Sequence, residues 1–191
     1  MEQEFQHSKL RRIQSITVDI AQILKAAAEV INTEGVLSLT LEAVAKKAAV
    51  SKGGLLYHFP NKDALLEGMV DYLTQSFVHG IHSAVNADPC EKGKWIRAYT
   101  ILTFTQINAE MNTAFLAAAA TNPELLKSMA ERFQALHVHI ENDNIDPILA
   151  TIVRLAADGM YFNQLYGMDL QEDIREKILD QLITLTRGEN Q

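Results

Sequence analysis

Residues 40–62 read TLEAVAKKAAVSKGGLLYHFPNK, and the reading of this stretch decides the fold. Leu41, Val44, Ala45 and Ala48 recur at helical spacing, so a first helix has one apolar face. Ala49-Val50 makes a turn. Ser51 is placed to cap a second helix by accepting a hydrogen bond from a free backbone N–H. That helix is short, from Lys52 to about His58. It turns Leu55, Leu56 and Phe59 toward a core and leaves Lys52, Gly53, Gly54, Tyr57 and His58 for another surface. Pro60-Asn61 stops it, and Asn61 is placed to cap a third helix that begins at Lys62.

Two short helices joined by a tight turn make a helix-turn-helix, whose second helix can enter a DNA major groove. The outward residue types suit that task. Ser51, Tyr57 and His58 can hydrogen-bond phosphate oxygens, and Lys52 and Lys62 add positive charge. Gly53 and Gly54 each cost a helix roughly 1 kcal/mol against alanine. A backbone without side chains can approach DNA closely, which gives the pair a reason to be there.

The order of residues is denser than a generic helical corner requires. Leu39-Thr40-Leu41, Val44-Ala45, Ala49-Val50-Ser51, Gly53, Leu56-Tyr57-His58-Phe59, Asn61-Lys62 and Leu65-Leu66 resemble the DNA-binding signature of TetR-family transcriptional regulators, as do Ile23-Leu24-Lys25-Ala26-Ala27 and Gly35 upstream. The similarity spans roughly residues 17–66. One departure is Gly54-Leu55, where many members carry one glycine and a varied residue. The resemblance implies an all-helical homodimer whose variable C-terminal domain often binds a small molecule and releases DNA. It also implies that Thr40, placed as the cap of the first helix, touches a backbone phosphate.

Composition is compatible. Of 191 residues 48% are hydrophobic and 21% charged, with 9 glycines, 4 prolines and no useful alternation at period 2, which argues an all-α chain. One cysteine, Cys90, excludes an internal disulfide and suits a reducing cytoplasm. MEQEFQHSKLRRIQS has no apolar run of a signal peptide, and no stretch of about 18 apolar residues could span a membrane. The net charge of −7 divides unevenly. Residues 1–62 carry 8 Lys and Arg against 6 Asp and Glu, whereas residues 63–191 carry 9 against 18. DNA would therefore be met by the N-terminal surface alone. That surface is only mildly basic, so tight binding is expected only at specific sites. The acidic balance of the rest favours a neutral or cationic ligand.

Outward from the central stretch, Val18, Ile20, Ala21, Leu24, Ala27, Ala28 and Ile31 predict a bracing helix from about Thr17 to Glu34, closed by Gly35. Lys9, Arg11 and Arg12 before it could form an arm that reaches phosphates or the minor groove, or serve as ordinary solubilising charge. The helix from Lys62 continues to about Val85, about 35 Å, long enough to act as a rigid link between domains. His79 and His82 lie on it at i, i+3, without a third ligand close in sequence; two surface or interface histidines is the plainer reading. Asn86–Gly93 reads as a loop. A helix from Lys94 to about Glu110 follows, then one near Asn112–Ala120, one from Pro123 to about Glu141, and two last helices, Asp146–Tyr166 and Gln171–Arg187.

Trp95, Tyr99, Phe104, Phe115, Phe133 and Met160 are the candidates for a small-molecule pocket, though each is also a natural core residue. The first of the last two helices carries two apolar stripes, Ile148, Ile152, Leu155, Gly159 and Phe162 along one and Leu149, Val153, Ala156, Met160 and Asn163 along the other. A helix apolar on two sides is buried on two sides, so Ile148, Ile152, Leu155 and Phe162, with Ile178 and Leu182 of the last helix, are the candidate dimer face.

The sequence thus predicts an all-α chain: a three-helix DNA-binding head with a helix-turn-helix over residues 1–62, and a larger helical dimerisation and effector domain over residues 63–191. Thr40, Ser51, Lys52, Gly53, Gly54, Tyr57, His58 and Lys62 are the candidate DNA contacts. The expected partners are an inverted-repeat duplex, a second copy of the chain, and a small hydrophobic or amphipathic effector. The expected role is a transcriptional regulator, more often a repressor, in the cytoplasm. No Gly-rich phosphate loop, G-x-S-x-G, H-E-x-x-H or cysteine cluster is present, so no enzyme, cofactor or metal is expected. The alternative is an adaptor of the same fold that acts by protein contacts alone.

Overall fold

The computed structural model describes residues 19–106 and 108–187. Among these every regular element is helical: α1 (Ile20–Glu34), a 3-10 turn (Val36–Ser38), α2 (Leu41–Lys47), α3 (Lys52–His58), α4 (Lys62–Ala87), α5 (Lys94–Thr105), α6 (Ala109–Thr121), α7 (Glu124–Glu141), α8 (Pro147–Leu165) and α9 (Glu172–Arg187). The basic arm, Thr17, Val18 and Ile107 lie outside the described residues.

The chain divides into two compact units, one holding residues up to Val70 together with Thr113–Leu125, the other Asp71–Asn112 and the residues from Leu126 onward. In the first unit α1 buries Ile23, Leu24, Ala27, Val30 and Ile31, the stripe that helical spacing requires. Val44, Leu55, Leu65 and Met69, from the helices that follow, are fully buried. The Gln22 amide donates to the Ala48 carbonyl at 2.7 Å and ties α1 to the end of α2. At Gly68 a Cβ would stand 2.5 Å from the Phe59 ring, so glycine lets that ring close on α4.

In the second unit α5 packs between α8 and α9. Ile81, Val85, Ile96, Leu102, Phe104, Leu136, Ile140, Val153 and Leu182 form one core, with Ala150 and Ala157 small enough for α8 to come close. The α4–α5 corner is organised by a buried cation. Arg97, 2% exposed, donates from Nε to Asp88 at 2.7 Å, and from its terminal nitrogens to the carbonyls of Cys90 (2.8 Å) and Lys92 (3.0 Å) and to the Thr186 hydroxyl (3.4 Å). Gly93 starts α5 with φ 72°, and a Cβ there would stand 2.3 Å from the Thr186 carbonyl oxygen. Asp143, 2% exposed, caps α5 from a distant loop by accepting the Ile96 N–H at 2.8 Å, while burial holds its carboxyl above the usual range.

One boundary differs from the sequence expectation. The helix begun at Lys94 ends at Thr105 and a new one starts at Ala109. Gln106 leaves the helical region (φ −122°, ψ 43°), and the Asn108 side chain caps the new helix by accepting the Met111 N–H at 3.1 Å. The break has no glycine or proline to announce it.

Candidate functional site

The first unit presents α2, a tight turn and α3. Three side-chain caps fix the geometry, as the sequence suggests: Thr40 Oγ1 accepts Ala43 N–H at 3.1 Å, Ser51 Oγ accepts Gly54 N–H at 3.1 Å, and Asn61 Oδ1 accepts Ala64 N–H at 2.7 Å. The turn is closed by the Val50 N–H on the Ala45 carbonyl at 3.0 Å, with Ala49 at φ 52°. That is the left-handed closure usual for a helix end, here without glycine.

On α3 only Leu55 is fully buried, and Phe59 just beyond it seals the core. Tyr57 is 84% exposed, an aromatic ring that a plain helical corner has no reason to leave in water. Ser51, Lys52 and Gly53 are exposed; Gly54 and His58 are half-buried, and His58 meets Tyr57 edge to face at 5.0 Å. The expected DNA residues other than Thr40 thus share α3 and its two flanks, and Thr40 stands at the start of α2. Two of them carry internal bonds that spacing did not reveal. Lys52 is paired with Glu42 on α2, and the Lys62 ammonium donates to the Val36 carbonyl at 2.9 Å. The Glu42 carboxyl is lowered by its hydrogen bond to Lys52. Leu56, expected inward, is 36% exposed at the rim.

The second unit holds a cavity of about 280 Å³. Tyr72, Leu73, Ser76 and Phe77 of α4 form one wall, and Tyr99, Leu102 and Thr103 of α5 another. Gln106, Asn108 and Asn112 close one end, Met129 and Phe133 come from α7, and Asp158, Tyr161 and Phe162 from α8. Phe77 meets Tyr99 and Phe133 edge to face at 5.5 and 5.9 Å. The Tyr99 hydroxyl donates to Asp158 Oδ1 at 2.5 Å and the Tyr161 hydroxyl to Asn112 Oδ1 at 2.6 Å. Burial, and for Tyr99 also the Asp158 carboxylate, raise both phenols well above their ordinary value, so both stay protonated.

Of the six candidate pocket residues, Tyr99 and Phe133 line this cavity; Trp95, Phe104, Phe115 and Met160 do not. Trp95 is stacked flat on His139 at 4.1 Å and edge-on to His82 at 5.2 Å. Phe104 and Met160 flank a much smaller gap, and Phe115 is buried in the other unit. Aromatic content selects ring-rich helices but not which side of each helix faces empty space. Asp158, which nothing in the sequence distinguished from other helical carboxylates, is in the wall.

The Thr103 hydroxyl is buried and has no hydrogen-bond partner among the described residues. Leaving such a group unpaired costs about 1–3 kcal/mol. Thr103→Val keeps the shape and removes the hydroxyl, so the ligand-free protein should melt higher by about 2–4 °C for each kcal/mol recovered. Differential scanning fluorimetry reads this, and an unchanged or lower midpoint would show that the hydroxyl is satisfied in solution.

On α8 the two stripes separate. Leu149, Val153, Ala156 and Met160 pack on the core, whereas Ile148, Ile152, Leu155 and Phe162 are 72%, 55%, 58% and 41% exposed. On α9 the expectation is corrected. Leu182 is 7% exposed and Ile178 packs against the same core, because α9 turns this side toward α5 and α8. No helix among the described residues is long and apolar enough to cross a membrane.

A helix-turn-helix with an exposed second helix, joined to a helical unit with an aromatic cavity, defines a class of DNA-directed regulators. Residues 23–69 match the family of bacterial regulatory proteins of the tetR type, and residues 93–187 match a tetracyclin repressor-like C-terminal domain. The chain belongs to the TetR family of transcriptional regulators, a family of regulators and not of enzymes. It is similar to the nucleoid occlusion factor SlmA of Alteromonas mediterranea, 33% identical over 92 residues, 48% of this chain and 46% of that one. It is also similar to the HTH-type transcriptional regulator TtgR of Pseudomonas putida, 27% identical over 93 residues, 49% and 44% of the two chains. The chain spans about half the length of these curated relatives. Its fold is that of a TetR-family regulator of Rhodococcus sp. (21% identity, 88% of this chain and 98% of that one, TM-score 0.67). It is also that of the multidrug binding protein EbrR complexed with malachite green (21%, 87% and 97%, TM-score 0.62).

Proposed function

We propose that the chain is a repressor that binds an inverted-repeat operator as a homodimer and is controlled by a small molecule held in the aromatic cavity. The observation that carries the DNA reading is the Lys52–His58 helix: capped by Ser51, nearly free of core duty, and exposing Tyr57 beside two glycines. Thr40, Ser51, Lys52, Gly53, Gly54, Tyr57, His58 and Lys62 are its contacts, within a head of residues 1–62. Glu42 holds Lys52 by an exposed ion pair worth little in stability, so a phosphate can replace it. Two heads on successive major grooves require recognition helices about 34–36 Å apart or a multiple of that.

The dimer reading rests on the exposed α8 stripe. Three large aliphatic side chains more than half exposed along one line are a surface that a second copy would cover, as facing helices do around a twofold axis. Control by ligand is supported by connectivity. The chain passes between its two units within α4 after Val70, within α6 after Asn112 and within α7 after Leu125, and Tyr72, Leu73 and Asn112 line the cavity. A ligand that binds one conformation better than another shifts the protein toward it, and weakens DNA binding by no more than that difference.

The test is fluorescence anisotropy with the protein's own upstream duplex and a scrambled one, at two salt concentrations. Gly53→Ala is the informative variant. A Cβ at Gly53 meets nothing within 4 Å, and alanine favours the helix by about 1 kcal/mol, so the fold should be slightly stabilised. If the bare backbone at Gly53 lies against DNA, operator affinity should fall at least tenfold. Retained affinity in this variant would remove Gly53 from the interface. Salt-insensitive or sequence-indifferent binding by the wild type would favour the adaptor reading.

A further inference from the structure

Among the described residues that line the cavity there is no lysine, arginine or histidine, and Asp158 is the one carboxylic side chain. Its Oδ1 accepts the Tyr99 hydroxyl, and its Oδ2 accepts Arg154 from one turn earlier on α8 at 3.2 Å. Arg154 does not line the cavity, and its single long contact is the weak end of the hydrogen-bond range. Tyr99, which bonds the carboxylate, and Phe77 and Phe133 line the same cavity, and the face of an aromatic ring carries negative potential. The unpartnered Thr103 hydroxyl belongs to a residue of the same wall.

We infer that the cavity takes an aromatic cation, with Asp158 as its counter-group and Phe77, Tyr99 and Phe133 as its ring contacts, and that it discriminates against anionic amphiphiles. The cation gains from the carboxylate and from the rings together. A neutral skeleton of the same shape gains only burial. A carboxylate ligand would bring a second negative charge to a wall that offers no cation to meet it. The inference rests on the effector reading above for its biological meaning, but not for its chemistry.

The experiment uses the full chain and three probes: malachite green as the cation, leucomalachite green as the uncharged analogue with the same three rings on a tetrahedral carbon, and dodecanoate as the anion. Binding is followed by calorimetry and by competition for the bound dye. The cation should bind at least tenfold tighter than the neutral form, and dodecanoate should fail to displace it. Asp158→Asn keeps an acceptor for the Tyr99 hydroxyl and removes the charge. It should lose tenfold for the cation and stay within twofold for the neutral form. If that variant fails to fold, the charge series on the wild type decides alone. Equal affinity for the charged and neutral skeletons, or displacement of the dye by dodecanoate, would overturn the inference. The same samples carrying the labelled upstream duplex separate the two readings. Cation binding without any change in DNA affinity upholds the site and removes the effector role. DNA release by dodecanoate with no dye bound does the opposite.

Discussion

Replacing Arg97 with methionine should destabilise the second unit by about 3–5 kcal/mol, the loss expected when one partner of a buried, hydrogen-bonded charge pair is removed. Methionine occupies much of the space of the arginine stem. It leaves the Cys90 and Lys92 carbonyls without the guanidinium donor and the Asp88 carboxylate without the cation that bonds it. Arg97→Lys should fall between the two, because an ammonium can meet Asp88 but cannot reach two carbonyls and a carboxylate as a planar fork does. The pH dependence identifies the mechanism. Burial pushes the Asp88 carboxyl up, but the Arg97 guanidinium and the Cys90 N–H together outweigh it and hold the group below its usual value. A carboxyl depressed in the folded state contributes stability above its unfolded value, and that contribution is lost as the pH falls through the folded one. In the methionine variant burial acts without the guanidinium, so the Asp88 carboxyl rises. The deficit against wild type should therefore be largest near neutral pH and narrow as the pH falls below about 4. Urea denaturation of both proteins at neutral and acid pH measures it. A deficit below 1 kcal/mol, or one that does not change with pH, would mean that the corner is held by packing and not by this cation.

Arg97 also marks the limit of what the sequence made legible. In KWIRAYT it reads as one more helical cation, and two of its partners, Cys90 and Lys92, are backbone carbonyls that carry no residue signature. The fourth partner, Thr186, is 89 residues away. The head was readable because its determinants are local. Thr40, Ser51 and Asn61 each bond a backbone N–H three residues on, and the apolar spacing between them fixes which sides meet. The internal partners of Lys52 and Lys62 lie 10 and 26 residues away and were not readable for the same reason that Arg97 was not.

The cavity shows the same division. Residues on ring-rich helices could be chosen from composition, yet Tyr99 points to empty space while Trp95, one turn earlier on α5, stacks on His139. That difference depends on how three helices meet, which spacing along one helix does not encode. The end of α5 at Thr105 is a further case: an asparagine cap at Asn108 starts a new helix with no glycine or proline beside it. The α8 stripes were separable because a 3.6-residue period distinguishes two sides of a long helix. Which side faces water required the structure, and on α9 Leu182 is buried in the subunit's own core while Ile178 is half-buried against it.

If the proposed dimer forms through the exposed α8 stripe, Gly159→Arg should convert it to a monomer and reduce binding to the proposed operator at least a hundredfold. Gly159 lies on the exposed stripe between Leu155 and Phe162, and a Cβ there meets nothing within 4 Å inside the subunit. The substitution is thus free within one chain and even favours the helix by roughly 1 kcal/mol. Any penalty must come from something outside the chain. If a second copy lies against the stripe, the glycine lets the two backbones come close near its end, and a guanidinium there would be buried in the contact along with that of the second copy. Like charges brought together in a desolvated contact have no stable arrangement, and the twofold axis makes the conflict unavoidable. The DNA consequence follows from valence: two heads held together bind the second half-site as an intramolecular event, and a monomer loses that advantage. Gly159→Ala is the control. Its methyl group adds helix propensity without charge or length, and should leave the dimer in place. Sedimentation velocity reads the mass of each variant, and anisotropy with the upstream duplex reads the head. Because a subunit freed from its partner can also lose stability, the comparison is made at several protein concentrations. A dimer that survives Gly159→Arg unchanged would mean that Ile148, Ile152 and Leu155 face some other partner, or water.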